Sequence, residues 1–259
     1  MQQSAPNAGQ IAKVCMLAGK IMLENGAETY RVEDTMNRIA AAYGVPNAHS
    51  FVTPTGIIFS LGGMDASTSL MRISDRSTDL RKVVMANDIS RRIGRGELTV
   101  EEAYERLYKV DVSTEGYPTW VRLLVAALAS GCFLIMFDGG WADFVPGMIC
   151  GGAGYLAMLY VPRYVSIKLF SEFTAAMTVG LLASFLVRTG LGQSLDKIVI
   201  GSIMPLVPGV LITNAVRDLM AGHFVSGLSK GAEAFLTAFA IGAGIAFVLS
   251  FLGGEAIGG

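Results

Sequence analysis

Two kinds of hydrophobic pattern divide the chain near Tyr117-Pro118. Before this point, apolar residues recur at helical or alternating spacing among many polar residues, and after it they form long, nearly continuous runs. Helical spacing is typical of an amphipathic helix and alternation of a half-buried strand, whereas about 20 mainly apolar residues can span a membrane. The sequence therefore predicts a soluble domain at residues 1–118 and a transmembrane domain at residues 119–259.

The sequence of the soluble part predicts two helices, a small sheet and two further helices. Asn25-Gly26 and Gly44 supply helix ends, and Thr99 with Glu102 forms a capping-box pattern at a helix start. A hairpin turn is expected at Gly62-Gly63-Met64-Asp65. The predicted helices cover residues 11–23, 28–43, 78–93 and 99–109, and the predicted strands cover residues 49–53, 56–61 and 67–74. This order predicts an α+β domain.

The apolar part contains five candidate transmembrane helices. They cover residues 120–137, 141–162, 169–187, 198–216 and 234–252. Close helix packing is expected at the small-residue pairs Gly147/Gly151 and Ala238/Gly242. The predicted fold class is thus an α+β N-terminal domain followed by an all-α membrane bundle of about five helices. Five spans with one broken helix suggest a working unit that needs a partner or copies of itself.

The fourth span contains Pro205-Leu-Val-Pro-Gly209, which should interrupt the helix. Proline removes a backbone donor and clashes with the preceding turn. In lipid, such a break is tolerated only where the freed backbone groups face protein or a water-filled cavity. The stretch is therefore either a packed kink or part of a polar pathway. In the second case, the N–H groups of the following half-helix would attract a substrate carboxylate.

Polar residues at membrane depth extend this candidate pathway. Ionisable side chains inside a span are costly and often functional, as in proton relays, so Glu172 or Asp218 is a candidate carrier of a coupling proton. Asn214 is expected to hydrogen-bond the substrate. The alternative for Arg217 and Asp218 is an interfacial ion pair, and for Glu233 a carboxylate at a helix start. The candidate pathway residues are Glu172, Thr174, Pro205, Pro208, Gly209, Thr213, Asn214, Arg217, Asp218 and Glu233.

Charge excludes one class of partner and orients the chain. Residues 1–118 hold 13 Lys/Arg and 14 Asp/Glu, and residues 119–259 hold 7 of each, so neither half favours nucleic acid. No signal-peptide pattern opens the chain, and the inner flanks carry more Lys/Arg than the outer loops, by five to two. We therefore expect a multi-pass protein of the inner membrane, in contact with lipid, with a cytoplasmic N-terminus and an external C-terminus. The cysteines and histidines have no metal-like spacing, and no cofactor is expected.

Two motifs carry a resemblance to a known family. Asn25-Gly-Ala-Glu-Thr-Tyr-Arg-Val-Glu33 with Ser50-Phe-Val-Thr-Pro-Thr-Gly56 resembles the N-terminal domain of the threonine/serine exporter (ThrE) family. Pro205-Leu-Val-Pro-Gly209, Thr213-Asn-Ala-Val-Arg-Asp218 and the stretch from Gly222 to Ser226-Gly227 resemble that family's membrane motif. The chain is similar to the split, YjjP-like form of the family, and this resemblance implies a small YjjB-like membrane subunit as partner. It also implies export of threonine and serine, or of succinate for the split pair.

The sequence analysis predicts a secondary exporter subunit for small polar carboxylates, with access alternating around residues 205–209. Two other classes stay open. A membrane-anchored hydrolase would use Thr53, Thr55 or His49 in the soluble domain. A regulatory or assembly subunit would leave the polar membrane residues dispensable.

Overall fold

The computed structural model describes residues 7–62, 68–114, 116–165 and 167–253, and the chain packs into two compact units. The first unit contains Met1–Glu115 and Gly209–Ala232, and the second contains Gly116–Pro208 and Glu233–Gly259. The segment Gly209–Ala232 thus packs with the N-terminal part, although the sequence pattern placed it in the transmembrane domain.

The first unit surrounds a small sheet with helices. Its described elements are α1 (Ala8–Glu24), α2 (Thr29–Ala42), β1 (Ala48–Thr53), β2 (Gly56–Leu61), β3 (Thr68–Arg72), α3 (Leu80–Gly94), α4 (Val100–Val112), α9 (Gly209–Met220) and the beginning of α10 (Phe224–Gly253). The predicted order of two helices, three strands and two helices is confirmed for residues 7–114. The predicted turn at residues 62–65 lies outside the described residues except for Gly62.

Local caps account for three helix starts of this unit. Asn7 and Gln10 form a capping box at α1, and the predicted capping box of Thr99 and Glu102 is present at α4. Asp79 caps α3 through the backbone N–H groups of residues 81 and 82. By contrast, the N-cap residue of α2, Glu28, makes no side-chain cap. The first turn of α2 therefore needs an acceptor from elsewhere in the chain.

The three strands form an antiparallel sheet in the order β1-β2-β3. Thr53 pairs with Gly56 across a tight turn, so one face presents Val52, Ile57 and Phe59 inward. These side chains join a core formed with apolar residues of α1 to α4, including Ile21 and Leu107. The core fixes the position of the α1–α2 turn, which carries the first family motif.

The second unit is helical throughout its described elements. It contains α5 (Thr119–Met136), α6 (Phe144–Tyr160), α7 (Lys168–Arg188), α8 (Leu195–Ile203) and the part of α10 from Glu233 onward, with short 3₁₀ helices at Trp141–Asp143, Val161–Arg163 and Met204–Leu206. Glycines allow close approach in this unit. A methyl group on Gly201 would lie 2.8 Å from the Cα of Leu134, and one on Gly147 would lie 2.8 Å from its Cδ1.

Four described helical segments are long and apolar enough to cross a membrane: Thr119–Met136, Trp141–Arg163, Lys168–Arg188 and Phe224–Phe251. The last begins ten residues before the predicted span at residues 234–252. A fifth candidate is the pair Leu195–Leu206 and Gly209–Met220, which is interrupted at Val207–Pro208. The predicted break in the fourth span is therefore confirmed, and the described residues contain four unbroken candidate spans, or five with the broken pair, in agreement with the predicted number.

The two small-residue pairs behave differently. Gly147 and Gly151 of α6 pack closely against α5, as expected, because added methyl groups there would overlap Leu134 and Ser130. The expectation for Ala238/Gly242 is wrong at Gly242, where a methyl group would meet nothing within 4 Å. Gly244 has the close contact instead, since its methyl group would lie 2.5 Å from the Phe173 carbonyl oxygen. The contact face of α10 is therefore rotated relative to the predicted one.

We expect Gly244→Ala to destabilise the chain and Gly242→Ala to leave it unchanged or slightly more stable. Overpacking against a backbone atom costs about 1–3 kcal/mol, whereas alanine in an open helical position gains about 0.5–1 kcal/mol over glycine. The measurement is the thermal unfolding midpoint of each purified variant in detergent. A midpoint for Gly244→Ala equal to that of Gly242→Ala would contradict this packing.

Candidate functional site

Asp218 is the most buried polar residue of α9, with a relative exposure of 0%. Its carboxylate accepts hydrogen bonds from the backbone N–H and the hydroxyl of Thr29, both at 2.9 Å. Lys230 of α10, 4% exposed, donates to the same carboxylate at 2.7 Å. Three donors therefore surround one buried anion.

This carboxylate supplies the cap that α2 lacks. Thr29 is the first residue of α2, and a negative charge beside a helix N-terminus is favourable because the free N–H groups there are partly positive. Lys230 also donates to the Thr29 hydroxyl at 3.1 Å and to the Ala27 carbonyl at 3.4 Å. The buried ion pair is thus hydrogen-bonded on both sides, the arrangement in which a buried charge pair is tolerated.

Neighbouring residues of the two family motifs pair in the same way. The Asn214 amide donates to the Gly26 carbonyl at 2.8 Å, and the Ser226 hydroxyl donates to the Val52 carbonyl at 3.2 Å. These donors all lie on the α9–α10 segment, and their acceptors lie in the α1–α2 turn or on β1. The motifs that are far apart in sequence therefore form one hydrogen-bonded cluster within the first unit.

Glu28 stands between two guanidinium groups. Its Oε1 lies 2.5 Å from Arg217 Nη1, and its Oε2 lies 3.1 Å from Arg31 Nη1. Burial alone would raise the pKa of Glu28, but a backbone hydrogen bond and the contacts with Arg217 and Arg31 outweigh it and hold the pKa below its usual value. Glu28 is therefore ionised at neutral pH, and both of its oxygens are engaged.

Glu33 forms a second polar contact on α2. Its Oε1 accepts from the Val52 backbone N–H at 2.8 Å, and its Oε2 lies 3.8 Å from His223 Nδ1. Burial raises the pKa of Glu33, against the opposing effects of the Val52 hydrogen bond and of His223. The His223 backbone N–H donates to the Asp218 carbonyl at 2.8 Å, so this pair borders the buried cluster.

A cavity of about 250 Å³ opens beside the ion pairs, and we call it the α2–α9 cavity. Its lining residues come from the α1–α2 turn, α2, α3 and α9: Gly26, Ala27, Glu28, Arg31, Leu80, Val83, Val210, Thr213, Asn214 and Arg217. Guanidinium groups, one carboxylate and short apolar side chains thus share one small space. Three predicted pathway residues, Thr213, Asn214 and Arg217, line it.

Glu172 marks a separate polar site in the second unit. It is 6% exposed, and its Oε1 accepts from the Thr237 hydroxyl at 3.2 Å. Within the described residues, Glu172 Oε2 and the neighbouring Ser171 hydroxyl have no hydrogen-bond partner. Lys168, one turn earlier on α7, pairs with Glu233 at 2.9 Å. A buried carboxylate with one unpartnered oxygen is unusual and calls for a functional explanation.

The other predicted pathway residues have mainly local contacts. The Thr174 hydroxyl donates to the Phe170 carbonyl within its own helix, and the Thr213 hydroxyl donates to the Gly209 carbonyl at 3.1 Å. Pro205 lies in the 3₁₀ helix before the break, and Pro208 directly precedes α9. The structure thus distributes the predicted residues over the two units, with Glu172, Thr174, Pro205, Pro208 and Glu233 in the second.

His49 and Thr53, two residues of the hydrolase alternative, do not form a catalytic pair. His49 and Thr53 lie four residues apart on β1, which separates them by roughly 13 Å at the usual rise of a strand. Among the described residues, no group of His, Cys, Asp and Glu could hold a metal ion. Burial raises the pKa of the Cys15 thiol to about 12, so this cysteine is not an activated nucleophile.

Sequence reasoning missed the role of Lys230 and Ser171. Lys230 is one of the five basic residues counted on the predicted inner flanks, yet its side chain donates to Asp218, twelve residues earlier in the chain. A lysine within an otherwise apolar helix was the available signal, because such a charge needs a partner. Ser171 beside Glu172 gave a similar signal, two adjacent polar residues at the start of an apolar helix.

Comparisons with known proteins agree with the pattern of motifs. The family model ThrE, which describes a threonine/serine exporter, matches residues 13–252. A "Probable succinate transporter subunit YjjP" of Klebsiella aerogenes is 24% identical over 98% of this chain and 98% of its own length. The protein of the same name in Escherichia coli is also 24% identical, over 94% of this chain and 95% of its own length.

Longer relatives match as well. A "Probable threonine/serine exporter" of Mycobacterium tuberculosis is 25% identical over 85% of this chain, which covers 42% of that protein. No solved structure matches the chain significantly. The family match and the apolar helices support a multi-pass membrane exporter, and they place the chain in a transporter family rather than an enzyme class.

We expect Lys230→Met to destabilise the chain strongly, by about 3–5 kcal/mol, because it leaves the Asp218 carboxylate buried without its counter-ion. The double variant Asp218→Asn, Lys230→Met should recover much of this loss, since the amide is neutral and can still accept from the Thr29 N–H. Thermal or denaturant unfolding of the single and double variants measures the effect. Additive losses in the double variant would show that the two groups are not coupled.

Proposed function

Because this chain belongs to the ThrE family of threonine/serine exporters, we propose that it is a subunit of an inner-membrane secondary exporter for small polar carboxylates. The substrate is threonine and serine, or a dicarboxylate such as succinate. The names of the relatives from Mycobacterium tuberculosis and from Klebsiella aerogenes support these two classes respectively. The N-terminus is cytoplasmic and the C-terminus external in this proposal, following the distribution of Lys and Arg.

A small YjjB-like membrane subunit completes the exporter in this proposal. The relatives that this chain matches over almost their whole length are named as subunits. The longer exporter of Mycobacterium tuberculosis contains more than twice the length that this chain covers. A second chain supplying the remaining helices would account for both observations.

The observation that carries a transport role is the unpartnered oxygen of the buried Glu172. An ionised carboxylate with one buried oxygen that lacks a donor is costly in an apolar environment, by several kcal/mol. Burying the neutral acid costs less free energy, and the ionised form is stabilised once water or a cation reaches it. Thr237 on one oxygen, with Lys168 and Glu233 one turn away, forms the immediate polar surroundings. We assign the coupling proton to Glu172.

Asp218 is the weaker candidate for this proton. Its carboxylate already has the Thr29 N–H, the Thr29 hydroxyl and Lys230 as partners, so both of its oxygens are engaged. Asn214 likewise uses its amide on the Gly26 carbonyl. We therefore assign Asp218 to holding α9 and α10 in the first unit. The substrate carboxylate is assigned to the exposed part of α9, from its first turn after the break to Arg217.

We expect Glu172→Gln to lose transport driven by a pH gradient by at least tenfold and to retain exchange of substrate across the membrane. A permanently neutral side chain permits the substrate-loaded states to interconvert but cannot carry a proton. The assay reconstitutes the chain with its YjjB-like partner in liposomes and follows labelled succinate, threonine and serine.

The matched control is Asp196→Asn, which removes an exposed carboxylate of the same unit and should transport normally. Gradient-driven transport by Glu172→Gln at the unmodified rate would remove Glu172 from the coupling step. Absence of transport of all three compounds by the unmodified pair would overturn the exporter proposal itself.

A further inference from the structure

The two arginines that line the α2–α9 cavity have N–H donors that their contacts with Glu28 do not use. The side chains of Arg31 and Arg217 are 40% and 61% exposed. Each contacts Glu28 through its Nη1 nitrogen, and a guanidinium group carries five N–H donors in a planar fork. Donors on both forks therefore remain accessible to a ligand at the rim of the cavity.

The charge of the cavity favours an anion over a zwitterion. Among the described residues that line it, two arginines face one carboxylate, so the net charge is +1. Both oxygens of that carboxylate, on Glu28, are already bound by the arginines. The ammonium group of an amino acid would therefore find no free acceptor of opposite charge. A second carboxylate on the ligand would instead meet the second guanidinium.

The size and the wall of the cavity restrict the ligand further. At about 250 Å³ it is smaller than the pockets of about 300–1,000 Å³ that hold drug-sized ligands. Leu80, Val83 and Val210 give it short apolar walls. These features suit a compact aliphatic chain with a carboxylate at each end, because Arg binds carboxylates through paired N–H groups.

We propose that the α2–α9 cavity binds a small aliphatic dicarboxylate through Arg31 and Arg217, with Glu28 holding the two guanidinium groups in position. This assignment deepens the proposed function, on which it rests for the identity of the ligand with the exported compound. Within that function it selects dicarboxylates rather than threonine or serine. Arg31 and Arg217 then determine specificity at this site.

Binding to the purified full chain in detergent tests the proposal without any variant. Isothermal titration with succinate and with threonine should show succinate binding at least tenfold more tightly, and this preference should weaken as salt increases. Threonine binding as tightly as succinate, or no binding of succinate at millimolar concentration, would overturn the proposal.

Variants then locate the site. Arg31→Gln and Arg217→Gln should each weaken succinate binding by at least tenfold, and Arg217→Lys should retain part of it because the charge remains while the fork is lost. Arg38→Gln is the matched control, since Arg38 lies on the same helix and pairs with a carboxylate, Asp34, one turn away. Succinate binding that is unchanged in the double variant Arg31→Gln, Arg217→Gln would place the ligand elsewhere and overturn the proposal.

The outcomes separate this site from the coupling mechanism. Asp196→Asn should bind succinate as the unmodified chain does, since Asp196 is exposed and does not line the cavity. Succinate binding that depends on Arg31 and Arg217, combined with absent transport, would support the site and contradict the exporter proposal. Transport of succinate that persists without any binding at the arginines would support the exporter proposal and contradict the site.

Discussion

The first unit depends on satisfying one buried carboxylate. Asp218 is fully shielded from solvent, so it must find donors within the protein, and it finds them on Thr29 and Lys230. This requirement brings together the start of α2, the end of α9 and the first turns of α10. The contacts of Asn214 with Gly26 and of Ser226 with Val52 follow from that placement. Two motifs of the ThrE family thereby become parts of one cluster.

The second unit is organised by a different constraint. Its helices approach closely at glycines such as Gly201 and Gly244, where any side chain would meet a neighbouring backbone. Such packing provides few hydrogen-bond partners, so a polar side chain placed in it is poorly satisfied. Glu172 and Ser171 illustrate this, because each has a buried oxygen without a partner in the described structure. The two units thus contain buried carboxylates in opposite states, one fully bonded and one incompletely bonded.

This contrast gives the two carboxylates different physical roles. The carboxylate of Asp218 has both oxygens engaged and joins α2, α9 and α10, whereas Glu172 keeps one buried oxygen without a partner in the described structure. The exposed arginines Arg31 and Arg217 add a third element, positive charge at a small cavity beside the satisfied cluster. The proposed structural, coupling and binding roles therefore fall on different residues.

The sequence by itself determined the elements and the family. Helical and alternating periodicity located α1 to α4 and the three strands, the capping box of Thr99 and Glu102 located a helix start, and Pro205 and Pro208 located the break. These signals are local, so they can be seen in a few neighbouring residues. The family motifs indicated a transporter for the same reason, since they are short and contiguous.

Only the tertiary structure decided which polar residues meet. Asp218 contacts Thr29 across a separation of 189 residues, and no spacing rule predicts a partner at such a distance. The prediction for residues 198–216 rested on their apolar content, which does not reveal that the part from Gly209 onward packs with the N-terminal part of the chain. The contact face of α10 was likewise decided by Gly244 and not by Gly242, because shape complementarity belongs to a pair of helices and not to either sequence alone.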